Sequence, residues 1–238
     1  MKAIRSHTHK AKVGIVVNVT PCYPCTDSNE DEIARTHANE YINHWYIKPL
    51  FDGCYPDVIS ALLENERPPI EDGDFETIRQ PMDFIGINYY TRLTYSAPQE
   101  GDTLYHEHEA NPPKTDIGWE VYPQALTDIL IELNNAYDLP PIYITENGAA
   151  MADKLINNKV DDADRIAYFQ GHLMAVHNAI ESGVDIRGYF AWSLMDNFEW
   201  AEGLSKRFGI VYVDYSTQVR TLKNSAIAYR TFISNRAE

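Results

Sequence analysis
The chain has 238 residues, enough for one large domain or two small ones with a substantial core. Lys and Arg number 20 against 35 Asp and Glu, and the resulting net charge of −15 repels nucleic acid and anionic lipid, so neither is an expected partner. Hydrophobic residues at 44% and aromatics at 12% mark a globular chain rich in flat side chains, a composition that leaves a small neutral ligand open.

No apolar run approaches the roughly 20 residues that span a bilayer, and the segment from Met1 to His7 lacks the apolar centre of a signal peptide. A cytoplasmic chain is therefore expected. Along the chain, the first apolar run, 13–19, reads as a buried strand. Cys22-Tyr23-Pro24-Cys25 follows; Thr26-Asp27-Ser28-Asn29 separates it from helical periodicity and no second pair supplies four zinc ligands, so ordinary reduced thiols are expected. One amphipathic helix is predicted over 30–50, with Asp27 or Ser28 as its cap.

A second strand is predicted over 83–90, then a polar excursion over 93–115 forming a hairpin or loop. The pairs His7/His9 and His106/His108 lie in polar segments without a third ligand and read as solvated loop histidines, so no metal is expected. The segment 123–137 carries Leu126, Ile129, Leu130 and Leu133 on one helical face. A third strand, 142–145, stops on Glu146 ahead of an Asn147-Gly148 turn; a helix over 161–182 ends at Gly183; a fourth strand follows at 186–192 and a last helix at 224–234.

Strand and helix thus alternate four times, which argues for a parallel sheet with helices outside it, within a single domain over 1–238. A complete eight-stranded barrel takes about 250 residues, yet only four βα units are present, half a barrel. Such a sheet alone leaves two edges unpaired. The expectation is that the chain closes by pairing with another polypeptide or is part of a longer protein.

The strand ends carry chemistry. Asn18 closes the first, Asn88-Tyr89-Tyr90-Thr91-Arg92 the second, Glu146 the third, and the fourth runs into Trp192-Ser193-Leu194-Met195-Asp196-Asn197-Phe198-Glu199-Trp200. A carboxylate where a buried strand ends is held rigidly while facing a cleft, as a nucleophile or general base must be. Residues 142–148 alone also fit a plain strand and turn, and Asp196-Asn197 also fits a turn. Hydrogen-bonding groups interleaved with aromatics on four strand ends suit a sugar, whose hydroxyls need polar partners and whose C–H faces stack on indole.

These segments, with Thr20-Pro21-Cys22-Tyr23-Pro24, Gly118-Trp119-Glu120-Val121-Tyr122-Pro123, Thr145-Glu146-Asn147-Gly148 and Lys206-Arg207-Phe208-Gly209, resemble the C-terminal half of glycoside hydrolase family 1, the β-glucosidase family. The resemblance implies a (β/α)8 TIM barrel of which this chain holds the C-terminal four βα units, and no cofactor. It implies that Glu146 is the nucleophile of a retaining reaction and that Tyr90 hydrogen-bonds it, with Asn88 near the same pocket. Glu199 and Trp200 match the pair that recognises the outer hydroxyls of the glycone, Trp192 the platform beneath it and Phe208 the residue that closes it. Trp119 matches an aromatic on the leaving-group side. Family members acting on phosphorylated sugars resemble this chain but carry a small residue at the Glu199 position, where a carboxylate would repel phosphate, so an unphosphorylated β-glucoside, β-galactoside or related small oligosaccharide is implied.

One departure stands out: the family's acid/base glutamate sits in an N-E-P motif that this sequence lacks. Asn39-Glu40-Tyr41 shares two letters, but it falls inside the predicted first helix, where Glu40 reads as a solvated residue. The start, Met1-Lys2-Ala3-Ile4-Arg5, matches the helix before strand five, which suggests a truncated frame, a processed fragment or one chain of a split enzyme. Two functions follow. One is a hydrolase half that needs a complementary N-terminal half-barrel; the other is a non-catalytic carbohydrate-binding or half-barrel assembly protein that pairs its own open edges by self-association.

Overall fold
The computed structural model describes residues 1–58 and 69–235. Helix α1 (Lys2–His7) leads into β1 (Gly14–Val19) and the short β2 (Cys22–Pro24), followed by α2 (Asn29–Asn39), α3 (Trp45–Phe51) and α4 (Asp74–Ile78). Then come β3 (Phe84–Tyr89), β4 (Leu93–Ser96), β5 (His106–His108), α5 (Gln124–Ala136), β6 (Ile142–Asn147), α6 (Ala163–Glu181) and β7 (Ile186–Ala191). A small hairpin, β8 (Val211–Val213) with β9 (Arg220–Leu222), and α7 (Asn224–Asn235) complete the described chain.

The four apolar runs become one parallel sheet in the order β1-β3-β6-β7. Each new strand adds beside the last without reversal, which is the winding of a barrel segment and not of a doubly wound sheet. Among the described residues β1 and β7 each pair on one side only. Val17, Val19, Ile85, Ile87, Ile142 and Ile144 point to the convex face and are buried beneath Ile47, Leu50, Leu126, Ile129, Leu130, Leu133, Val176 and Ala179. The other face holds Val16 and Phe190, 47% and 57% exposed. It is the face that a closed barrel would fill, so the half-barrel architecture expected from sequence is present.

Element boundaries differ from expectation in instructive places. The predicted helix over 30–50 is capped by Ser28, whose Oγ accepts from Asp31 N at 3.1 Å, but it breaks into α2, a π-helical turn at Glu40–His44, and α3. Two buried amides sit at that break. Asn43 Nδ2 donates to Thr20 O (2.9 Å) and to Asn39 Oδ1 (2.7 Å), while Asn43 Oδ1 accepts from Thr20 N (2.9 Å), pinning the end of β1. Glu40 is only partly exposed and accepts from Val58 N at 3.2 Å, so it is a local tether and not a freely solvated residue.

The 93–115 excursion is a hairpin, β4 with β5, and β2 joins it as a third strand. Cys22 lies in that strand with its Sγ bonded to Thr20 O, and burial pushes its thiol far up, away from thiolate chemistry. His106 and His108 are strand residues, not loop residues, and their rings bond Asp102 and Ser96. The α6 helix ends at Gly183 with φ of 95°, as a C-terminal glycine stop requires. Among the described residues no helix is long and apolar enough to cross a membrane.

Candidate active site
A register shift brings three of the strand ends into line. Pairing slips between Ile87 and Asn88, so that Asn18, Asn88 and Glu146 lie in one row across β1, β3 and β6. The third strand does not stop before an Asn-Gly turn, as the sequence pattern suggests; it continues through Asn147, which is fully buried. Its Nδ2 donates to Tyr89 O (2.9 Å) and bonds the Tyr168 hydroxyl (3.0 Å), and its Oδ1 accepts from Tyr189 (2.6 Å). Those bonds lock three neighbouring elements under Glu146. Gly148 is required for packing, since a Cβ there would sit 1.7 Å from Trp192 O.

Glu146 is partly exposed, and its Oε2 accepts a hydrogen bond from the Tyr90 hydroxyl. Burial first, then that bond and the Glu146 charge, hold the Tyr90 phenol far above its ordinary range, so it stays a neutral donor. Tyr90, Trp119 and Phe208 form one aromatic cluster, with ring centroids 5.4 Å (Tyr90–Trp119), 6.2 Å (Tyr90–Phe208) and 6.0 Å (Trp119–Phe208) apart. Residues assigned by resemblance to opposite sides of the pocket thus touch. Asn88 Oδ1 accepts from Thr145 Oγ1 at 2.6 Å, which fixes the amide beside the row.

The fourth strand end supplies a loop. Glu199 is partly exposed, and partial burial, then the Glu146 and Glu202 charges, raise its carboxyl above the usual range. Glu199 N donates to Gly203 O at 2.7 Å, and Trp200 follows with φ of 40° and 82% exposure. Trp192 hangs from the end of β7, its N donating to Asn147 O at 2.8 Å. Among the described residues, Trp192 and Trp200 do not join the aromatic cluster. No group of three or more His, Cys, Asp or Glu suited to a metal occurs among the described residues.

The family model for glycosyl hydrolase family 1 matches residues 1–238. The chain belongs to that family. This family 1 chain is 40% identical to the 1,4-β-D-glucan glucohydrolase of Thermotoga neapolitana over 237 residues, covering 99% of the chain and 53% of that protein. It is 42% identical over 241 residues to an Agrobacterium β-glucosidase, covering 98% of the chain and 52% of that protein. The virulence factor SghA of Agrobacterium tumefaciens superposes with a TM-score of 0.93 at 42% identity, over 97% of this chain and 52% of SghA, which is also known in complex with its substrate analogue salicin. The family 1 chain thus spans about half the length of the curated relatives it matches.

Two features of this family 1 site escape a reading of local sequence. Arg92, a strand-end guanidinium, turns to Glu120 in a two-pronged bond (Nε–Oε2 3.1 Å, Nη2–Oε1 3.0 Å) and stacks on Tyr122 at 3.5 Å. It clamps the segment carrying Trp119. His172, under the site, stacks on Tyr168 at 3.9 Å, and burial pushes its imidazole down to about 4. A histidine held neutral in the folded state contributes stability that is present above its unfolded value and lost as pH falls from about 6.5 toward 4. Urea midpoints should therefore show the chain losing about 2 kcal/mol between pH 7 and pH 5 on account of this residue. His172→Phe should be less acid-sensitive by that amount, and equal pH dependence in the two proteins would refute the assignment.

Proposed function
We propose that the chain is the nucleophile-bearing half of a retaining β-glycosidase acting on unphosphorylated β-glucosides or β-galactosides. The observation that carries this reading is the Tyr90–Glu146 hydrogen bond at the end of a rigid strand, with Glu199 close enough to be raised by the Glu146 charge. Tyr90 occupies Oε2 and orients the carboxylate, leaving Oε1 to attack the anomeric carbon as the bond to the leaving oxygen breaks. Water then attacks the glycosyl ester from the opposite side, releasing Glu146 and retaining the β configuration. Glu199 and Trp200 serve the outer hydroxyls, Trp192 stacks beneath the glycone, Phe208 closes it, Trp119 lies toward the leaving group, and Asn88 borders the nucleophile. The salicin complex of the Agrobacterium relative supports an aryl β-glucoside as the first substrate to try.

Both steps need a second carboxyl about 5 to 5.5 Å from the nucleophile, to protonate the leaving oxygen and then activate water. The sequence has no N-E-P motif to supply it, so a complementary half-barrel is the proposed source. It would pair with β1 and β7 and cover Val16 and Phe190. The test mixes the 238-residue chain with the strand-one-to-four half of a relative and follows hydrolysis of 4-nitrophenyl β-glucoside. Turnover only in the mixture, with β-glucose as the first-formed anomer by NMR, is expected. No turnover at saturating partner, or α-glucose first, rejects the proposal.

A further inference from the structure
A buried ionic network lies behind the glycone loop and is not used by the chemistry above. Asp153, on the segment that follows Glu146, meets Arg165 (Nη2–Oδ2 2.8 Å) and Lys223; Arg165 also pairs with Asp162 and donates to Arg207 O at 2.8 Å. Lys223 Nζ reaches on to Asp196 Oδ1 at 2.8 Å. Asp196 lies on the segment leading to Glu199 and Trp200. Its carboxylate also accepts from Gly209 N (3.1 Å), Val213 N (3.3 Å) and the Arg207 guanidinium. The Lys223 and Arg165 side chains are fully buried, and those of Asp153, Asp162 and Asp196 no more than 1% exposed.

Lys223 is the only described group bonded to both Asp153 and Asp196. Its ammonium therefore ties the loop that leaves the nucleophile to the loop that recognises the outer hydroxyls. Burying a charge away from water is costly, and the anchoring of α7 alone could be met by apolar packing. A point charge with two fixed partners instead sets the spacing between two loops. We propose that Lys223 is a positioning residue that holds the Glu199–Trp200 loop in register with Glu146, and thereby sets how strongly the outer hydroxyls of the glycone contribute to turnover. This inference rests on the reading of Glu199 and Trp200 as the outer-hydroxyl site.

The test uses the assembled barrel, with Lys223→Met and Lys223→Arg assayed on an aryl β-glucoside and on its 4-deoxy and 6-deoxy analogues. Lys223→Met should lose about tenfold in kcat/KM on the glucoside, about 1.4 kcal/mol. On a deoxy analogue, which lacks the hydroxyl being positioned, the loss should shrink to about twofold or less, and Lys223→Arg should recover part of it. Equal losses on all three substrates overturn the proposal. Glu199→Ala in the same assay tests the underlying reading separately: if it does not discriminate the analogues, the assignment of Glu199 fails whatever Lys223 does. Hydrogen exchange on the 238-residue chain gives a second readout independent of turnover. In Lys223→Met, exchange should rise over 149–153 and 193–211 and stay unchanged in β1 and β3. A uniform rise overturns the inference, because it would make Lys223 a residue of global stability alone.

Discussion

Replacing Glu146 by Gln in the assembled barrel should lower kcat by about 10⁴-fold or more, the scale on which removal of a covalent nucleophile is felt. The amide keeps the shape and still accepts from Tyr90, so the fold and the pocket are retained while the attacking oxygen is lost. A control with the same charge change elsewhere separates chemistry from electrostatics. Glu199→Gln should raise KM and lower kcat/KM, but by a smaller factor, because it removes recognition and not the bond-forming atom. The decisive variant is Glu146→Gly. It opens space on the face from which the carboxylate would attack, and azide entering there should restore turnover and give an α-glycosyl azide, since one inversion now replaces two. A β-azide, or rescue of Glu199→Gly in place of Glu146→Gly, would move the nucleophile away from Glu146.

The halves of this site were unequally legible before the structure. Glu146, Tyr90 and the Trp192-to-Trp200 run could be singled out because each lies at the end of a short β-branched or aromatic strand, and strand ends are read directly from such runs. The convex face was equally accessible: Leu126, Ile129, Leu130 and Leu133 share one helical stripe, and all are buried. What failed was punctuation. Asn147-Gly148 carries a strong turn signal, yet three tyrosine-bearing partners claim the Asn147 amide and keep it in the strand. The π-turn at Glu40–His44 was hidden because Asn39 and Asn43 are spent on Thr20 and Glu132, contacts made across other elements.

Charges were the least legible class. Arg165 on an amphipathic helix and Lys223 beside a strand look like solvated surface residues, which is the ordinary fate of both types. Their burial is set by Asp153, Asp162 and Asp196, carboxylates on other segments of the chain, and no local pattern reports it. The same holds for Arg92, whose partner Glu120 belongs to a loop beyond the hairpin. The sequence pattern therefore locates the candidate site residues, whereas the supports that hold them depend on how separate segments meet.

Those supports lead to the largest expected effect on stability, that of Arg165→Met. Arg165 bonds Asp153 through both terminal nitrogens (3.0 and 2.8 Å) and also pairs with Asp162. Methionine fills much of the volume, so packing is a minor part of the loss. What remains is two buried carboxylates short of a cation, with Lys223 left to serve Asp153 and Asp196 together. Breaking a buried pair from one side costs about 3 to 5 kcal/mol, a large share of the roughly 5 to 15 that hold a domain folded. At about 2 to 4 °C per kcal/mol, the melting temperature should fall by roughly 10 °C. A double variant identifies the cause. Replacing Asp162 and Arg165 together, by Leu and Met, should return part of the stability, because the pair then leaves no uncompensated charge. A deficit unchanged in the double variant would show that Arg165 matters for its packing and not for its charge.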